Sequence, residues 1–253
     1  MATTGAASRA LLAFLVVLAV SASDDFTASA DEQHDILNIK NNCSFSVAPV
    51  IVPKPGSPPL DFTPYQFMGY EYLVNVALPH GWSGLIWART GCSTDDDGKF
   101  TCATGDCGSG RLGCGRGARP TSSSPATIAV LALGGKAGGG TDSYHISVAD
   151  GYNVPVLVAP SDTSRGGQQC APTQCVVDLD GACPADQQVK ASDGRVVACK
   201  PPPSGNPAAG SSNIACATAG TNGPVCAVVD NSYTVTFCPD NTEFDPNPSG
   251  TSN

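Results

Sequence analysis

The chain has 253 residues, enough for one large domain or two modest ones, and contains 12 cysteines, 28 glycines and 21 prolines. Only 14% of its residues are charged, and its formal net charge is −9. Phosphate backbones are bound by clustered Lys and Arg side chains, which this sequence lacks. We therefore expect no nucleic-acid partner, and an anionic membrane surface is disfavoured for the same reason.

Residues 1–23 have the organisation of a secretory signal peptide. A single cation, Arg9, precedes an apolar run at 11–20, and small residues follow. Cleavage is expected near Ala22 or Ser23, with 28–30 as a later alternative. A membrane anchor needs about 20 consecutive apolar residues, and this run is shorter. The sequence therefore predicts an exported protein whose mature chain has no membrane span.

All the cysteines lie after this segment, and their even number fits six disulfides formed in an oxidising compartment. A zinc site is the alternative interpretation of a cysteine-rich chain. The short spacings here leave four or six residues between cysteines, without the C-x2-C pairs and paired His typical of zinc sites. We therefore expect disulfides, with no metal and no cofactor.

Short runs of β-branched and aromatic residues recur along the chain, separated by Gly, Pro and Asn. Outside the signal, no window shows a sustained helical period. This pattern predicts an all-β protein, an antiparallel sandwich or barrel. The predicted strands are 36–39, 45–47, 127–133, 144–148, 154–158 and 233–237.

The same patterns divide the chain after the signal. Residues 31–160, together with 227–238, hold the strand signals and are expected to form the β-sandwich core. Residues 161–226 are rich in Gly and Pro, so we expect a small loop domain held by disulfides. The tail 239–253 is polar and Pro-rich, which predicts disorder.

Residues 98–114, GKFTCATGDCGSGRLGC, carry the most specific pattern in the sequence. Few of these residues can be buried, so covalent bonds are expected to hold their shape. The pattern resembles the signature of the thaumatin family, plant pathogenesis-related proteins of group 5. Flanking motifs at 86–92, 150–155 and 233–239 are also similar, and the resemblance spans about 35–239. The matching positions are Gly98, Phe100, Cys102, Thr104, Gly105, Asp106, Cys107, Gly110 and Cys114.

The resemblance implies a flattened antiparallel β-sandwich with disulfide-rich loops. Larger family members carry more cysteines, and those missing here belong to the second domain, which implies that this domain is reduced. No cysteine is left over when the family pairing is carried across. The implied disulfides are Cys43–Cys238, Cys92–Cys102, Cys107–Cys114, Cys170–Cys226, Cys175–Cys216 and Cys183–Cys199.

Family members have an acidic cleft built from an arginine, a glutamate and three aspartates. By resemblance, Arg89 matches the arginine and Asp150 matches one aspartate. Val130 occupies the glutamate position, and His145 occupies a second aspartate position. The third falls between Cys216 and Cys226, where no acidic residue remains. The candidate ligand-binding residues are Arg89, His145, Asp150, Tyr144 and Tyr152.

Glycoside hydrolysis ordinarily needs two carboxylates, about 5–5.5 Å apart in retaining enzymes and about 6.5–9.5 Å apart in inverting ones. Asp142 lies three residues before His145, and this odd offset on a strand predicts the opposite face. Hydrolysis is therefore disfavoured, and no catalytic residue is assigned. A purely structural alternative makes Arg89 and Asp150 an ion pair or hydrogen-bonding group that supports loops, and His145 an ordinary polar residue.

Two aspartate-containing segments have structural interpretations. Asp95, Asp96 and Asp97 lack the alternating ligands of a calcium loop, so an acidic hairpin turn between Cys92 and Cys102 is expected. Asp106 is expected to accept hydrogen bonds from the backbone of its own tight loop.

Together these observations favour a secreted antifungal defence protein that acts by binding β-1,3-glucan or other fungal wall or membrane components. An inhibitor of a microbial glycosidase such as xylanase is one alternative, and a weak endo-β-1,3-glucanase is another. We expect a monomer in the extracellular space (the apoplast). A vacuolar destination stays open, because a short extension after the final Cys-Pro can direct family members there.

Overall fold

The computed structural model describes residues 35–62, 72–134, 140–161, 172–176, 179–201, 215–216, 225–226 and 232–239. The expected signal peptide, Cys170 and the tail after Pro239 lie outside these residues. In the described part, no helix has the length and apolar character needed to cross a bilayer.

The described residues form fourteen strands and one four-residue helix, so the predicted all-β class is confirmed. In chain order the elements are β1 (Asp35–Asn41), β2 (Val47–Pro53), β3 (Tyr72–Leu78), β4 (Ser83–Thr94), β5 (Phe100–Thr104), β6 (Ile128–Ala132), β7 (Asp142–Ser147), β8 (Val156–Pro160), β9 (Thr173–Val176), α1 (Leu179–Ala182), β10 (Gln188–Lys190), β11 (Val196–Cys199), β12 (Ala215–Cys216), β13 (Val225–Cys226) and β14 (Tyr233–Phe237).

Two large sheets form the sandwich. The first sheet has the order β12-β9-β8-β14-β1-β3, and the second has the order β13-β7-β6-β4-β2, with β5 paired to β4. A separate two-stranded sheet, β10-β11, comes between β9 and β12 along the chain. The expected antiparallel pairing holds for these strands with one correction, since β1 and β14 are parallel. That pair brings the first and last described strands together.

The main core lies between the two sheets, because alternate residues of each sheet point inward. Leu37 and Ile39 of β1 and Ile86 of β4 are completely buried in it. Tyr233, Val235 and Phe237 of β14 belong to the same cluster. The inward residues therefore come from strands that are distant in sequence.

A second apolar cluster covers the other face of the second sheet. It contains Val50, Val52, Leu85, Trp87, Ile128 and Val130, and Cys107, Cys114 and Ala118 pack against it. The segment that follows β5 thus lies over one end of this face. Strand β2 has both faces buried, which explains its nearly continuous apolar sequence.

Several strands were not predicted from the sequence. The predicted strand at 45–47 was wrong, because β2 begins at Val47 and runs to Pro53. Prolines at positions 49 and 53 argue against a central strand, and β2 in fact ends the described order of its sheet. Within 161–226, β9 pairs with β8 and β13 pairs with β7, so part of this segment extends the large sheets.

Between described residues, these disulfides have the pairing that the resemblance implied: Cys43–Cys238, Cys92–Cys102, Cys107–Cys114 and Cys183–Cys199. Cys175 is also disulfide-bonded, and the β9–β12 register places Cys216 opposite it. The Cys43–Cys238 bond spans 195 residues and joins the segments that adjoin the parallel pair β1–β14.

Candidate functional site

Three of the expected cleft positions, Arg89, Val130 and His145, lie on the outer face of the second sheet, which we call the cleft face. The strand registers align Val52, Leu85, Val130 and His145 in one row across β2, β4, β6 and β7. Val130 and His145 are direct cross-strand partners, so their side chains are neighbours. Positions that carry a glutamate and an aspartate in the resembled family therefore hold a valine beside a histidine here.

His145 is half-buried at the end of this row. Burial lowers its pKa, and the positive charge of Lys54 lowers it further. The imidazole is therefore neutral at neutral pH and has one donor and one acceptor nitrogen. Such a ring can hydrogen-bond a sugar hydroxyl in either direction.

Asp150 follows β7 and forms an ion pair with Arg119, with 3.0 Å between Oδ2 and Nη1. The two side chains are 31% and 52% exposed, so the pair contributes little to stability. Its effect is positional, because it joins the loop after β7 to the loop that contains Arg119. The expected Arg89 is not the cation that contacts Asp150.

Asp142 points away from the cleft face, as its odd offset from His145 predicted. Its Oδ2 accepts a hydrogen bond from the Tyr233 hydroxyl at 2.6 Å, and its Oδ1 accepts one from Gly134 N–H at 2.8 Å. Asp142 is 4% exposed, and burial raises its pKa despite these two donors. This carboxyl connects the two sheets within the core.

The two candidate tyrosines are also buried. Tyr144 lies in the main core with its ring 5.4 Å from that of Tyr233, and burial beside Asp142 raises its pKa to about 12. Tyr152 is 4% exposed and pairs through its backbone with Cys199. Neither ring offers an open stacking surface to a sugar. Alternation along β7 explains the burial of Tyr144, because Tyr144 and Asp142 lie on the same, inward side of the strand.

Arg89 is 1% exposed and holds the loop after β5. Its guanidinium donates to the carbonyl oxygens of Leu112 and Arg111, and its Nε donates to Ala48 O at 3.4 Å. The guanidinium also lies over the Phe100 ring at 4.9 Å from the ring centre. Burial lowers its pKa to about 10, and the nearby Asp106 carboxylate opposes this change. Arg89 thus acts in the structure as a support for the loop.

The signature loop is held by close backbone contacts. Asp106 accepts hydrogen bonds from Cys102 N–H at 2.7 Å and from Gly108 N–H at 2.6 Å. Gly105 has a φ of +71°, and a Cβ there would lie 2.5 Å from Ala88 O. Its carbonyl accepts the indole N–H of Trp87 at 2.8 Å. The glycine of the signature therefore allows the loop to lie directly against β4.

Asn153 is a central residue that sequence reasoning missed. It is completely buried, and its side chain donates to Ala88 O and Thr104 Oγ1 at 2.9 and 2.8 Å. Its Oδ1 accepts from Thr127 N–H and Val154 N–H at 3.1 and 2.8 Å. The residue lies within the 150–155 motif, but no local pattern distinguishes a buried amide from a loop asparagine.

The acidic segment after β4 forms the expected hairpin turn. Asp95 Oδ1 accepts hydrogen bonds from Asp97 N–H at 3.1 Å and Lys99 N–H at 2.8 Å. Gly98 has a φ of +79° and closes the turn through its N–H bond to Asp95 O. Among the described residues, no group of three His, Cys, Asp or Glu side chains is placed to hold a metal ion.

Comparison with known proteins decides the family. The model of the Thaumatin family matches residues 41–250. The chain belongs to the thaumatin family. It is 41% identical over 165 residues to "Thaumatin-like protein 1a" of Malus domestica, an alignment that covers 65% of this chain and 63% of that protein.

Other members of the thaumatin family have more specific names. A Prunus avium protein named "Glucan endo-1,3-beta-glucosidase" is 41% identical over 164 residues, covering 64% of this chain and 63% of that protein. The chain therefore spans less than two thirds of the length of these relatives. Among solved structures, a thaumatin-like xylanase inhibitor has a TM-score of 0.43 and 20% identity, covering 80% of this chain and 99% of the inhibitor.

In this thaumatin-family chain, the expected cleft positions include a neutral histidine, His145, and a carboxylate, Asp150, that is paired with Arg119. His145 and Asp150 can both take part in hydrogen bonds with hydroxyl groups. Asp142 cannot supply a second carboxylate from its position in the core. The arrangement suits ligand binding better than acid and base chemistry by a carboxylate pair.

Proposed function

We propose that this thaumatin-family protein is a secreted defence protein that binds β-1,3-glucan on its cleft face without hydrolysing it. The observation that carries the proposal is the direct pairing of Val130 with His145 on β6 and β7. The 41% identity to a protein named for glucan endo-1,3-β-glucosidase supports β-1,3-glucan as the ligand class. The disulfides support a destination outside the reducing cytosol.

The charge arrangement supports binding over hydrolysis. A retaining or inverting mechanism uses one carboxylic acid and one carboxylate on the two sides of the glycosidic bond. Asp150 is engaged by Arg119, and Asp142 lies on the inward side of β7. A neutral His145 can still accept and donate hydrogen bonds to hydroxyl groups without cleaving the chain.

Two measurements on the same purified mature protein test this function. Insoluble β-1,3-glucan should retain the protein in a sedimentation assay, while laminarin should release no reducing sugar. The variant His145→Ala should weaken retention about 5-fold, as expected for the loss of a hydrogen bond worth about 1 kcal/mol. Asp193→Asn, at an exposed ion pair on the turn between β10 and β11, is the matched control and should bind normally.

Complete recovery of the protein in the unbound fraction would refute glucan binding. Release of reducing sugar that Asp150→Asn abolishes would refute the binding-only mechanism and establish a hydrolase. Equal retention of His145→Ala and the parent protein would place the glucan on another surface.

A further inference from the structure

Three loops around the cleft face are tied to one another. The loop 54–57 accepts a hydrogen bond from Arg116 Nη1 to Ser57 O at 2.9 Å. The loop 115–119 then reaches the loop 147–151 through the Arg119–Asp150 ion pair at 3.0 Å. Between these ties, Ala118 packs on the apolar cluster of the cleft face. We call the three loops together the basic band.

The basic band is positively charged in a negatively charged protein. Its charged residues are Lys54, Arg116, Arg119 and Asp150, so three cations face one carboxylate. Arg116 and Arg119 are exposed, and Lys54 and Asp150 are half-buried. The whole chain has a formal net charge of −9. The net charge of the basic band is therefore opposite in sign to that of the whole chain.

The position of Lys54 connects the band to the row that ends at His145. Lys54 N–H donates to Ser83 O at 2.8 Å, which continues the β2–β4 ladder by one residue. Lys54 is two residues after Val52, so alternation places it on the cleft face. The positive charge of Lys54 lowers the pKa of His145, after the larger effect of burial.

The chemistry of these side chains suits carboxylates. A guanidinium presents five N–H donors in a fork that matches a carboxylate, and the bond to Asp150 engages Nη1 of Arg119. A lysine ammonium adds a flexible point charge. At physiological ionic strength, salt screens the repulsion between an anionic ligand and acidic groups of the protein more than about 8 Å away. The charge of the basic band itself therefore determines whether the ligand binds there.

We propose that the basic band binds a polysaccharide that carries carboxylate groups, a uronan, beside the surface that holds neutral glucan. The inference rests on the proposed function only for the choice of a polysaccharide as the ligand. The repeated carboxylates of a uronan can engage several cations of the band at once, while the sugar backbone lies along the loops. A neutral glucan makes no such ionic contacts.

The probe is polygalacturonate, and the matched ligand control is the same polymer after complete methyl esterification, which removes its charge. Titration calorimetry at 50 mM and 500 mM NaCl should show binding to the free acid, weakening at high salt, and none to the ester. Lys54→Gln and Arg116→Gln should each weaken binding about 5-fold, the effect of losing about 1 kcal/mol at a surface ionic contact. Arg195→Gln removes the same charge from an exposed pair outside the band and should leave the affinity unchanged.

Three results would overturn the inference: no binding to polygalacturonate, equal binding to the ester, or an equal loss in Arg195→Gln. Arg116 also supports the loop at Ser57, so Lys54→Gln provides the independent test if Arg116→Gln unfolds. Glucan sedimentation of the parent protein, beside its calorimetry with polygalacturonate, separates the two proposals. Normal glucan retention without uronan binding refutes the basic band alone, and uronan binding without glucan retention refutes the proposed function alone.

Discussion

Removal of one buried hydroxyl should destabilise the sandwich in a pH-dependent manner. The Tyr233 hydroxyl donates to Asp142 Oδ2 at 2.6 Å, and the two residues are 0% and 4% exposed. A hydrogen bond to an ionised group contributes about 1.5–3 kcal/mol, and a bond between neutral groups about 1 kcal/mol. Tyr233→Phe keeps the packed ring and removes this bond alone.

The sign of the pH dependence follows from the raised pKa of Asp142. Between the ordinary carboxyl value near 3.8 and the raised value, the folded protein binds more protons than the unfolded chain. The contribution of Asp142 to stability therefore falls as the pH rises through this window and is constant above it. The Tyr233 hydroxyl lowers the Asp142 pKa, so Tyr233→Phe should deepen the fall and extend it to higher pH.

Urea unfolding with the disulfides intact, followed by circular dichroism at pH 3 and pH 8, measures this effect. We expect Tyr233→Phe to lose about 1 kcal/mol at pH 3, where the carboxyl is neutral, and about 2–3 kcal/mol at pH 8. In an Asp142→Asn background the loss should be about 1 kcal/mol at both pH values. A loss that is independent of pH, or unchanged by Asp142→Asn, would refute the coupling of the two groups.

Two further predictions concern the loop after β5 and the disulfides. Gly105→Ala should lower the free energy of unfolding in urea by more than 2 kcal/mol, because the new Cβ would lie 2.5 Å from Ala88 O. Gly56 also has a positive φ, +84°, but open space around it, so Gly56→Ala should cost about 1 kcal/mol. Equal losses in the two variants would contradict the close approach at Gly105. Replacing both Cys43 and Cys238 by Ala should lower the free energy of unfolding by about 5 kcal/mol, because this disulfide closes a loop of 195 residues. The same change at Cys107 and Cys114, which are 7 residues apart, should cost about 2–3 kcal/mol. A larger loss for the shorter loop would contradict stabilisation through loop entropy.

Local sequence patterns predicted the strands in which apolar residues alternate in step with burial in the core. The predicted strand 233–237 coincides with β14, because Tyr233, Val235 and Phe237 alternate into the core. Strand β4 was not predicted, although it pairs with three other strands. Its twelve residues include two glycines and Arg89, and its stability comes from neighbours that are distant in sequence. Such pairing overrides local propensity.

The site was less predictable than the fold. The family resemblance located Arg89, but no local pattern shows that its guanidinium is buried under the carbonyls of Arg111 and Leu112. The same limit applies to Asn153, whose four hydrogen bonds join residues from 88 to 154. The hydrogen bonds of Arg89 and of Asn153 both depend on the tertiary path of the loops, which is set by disulfides and close packing.

The alternation of β6 and β7 explains how a thaumatin-family sandwich can keep its core while its cleft changes. Leu131 and Tyr144 face inward and hold the two sheets together, whereas Val130 and His145 face outward from adjacent positions. A substitution at an outward position therefore changes the chemistry of the cleft face with little effect on the inward packing. Asp142 shows the converse, because its carboxyl lies on the inward side, where it accepts a hydrogen bond from Tyr233 of the other sheet. Charge on the cleft face and stability of the core can thus vary independently along the same two strands.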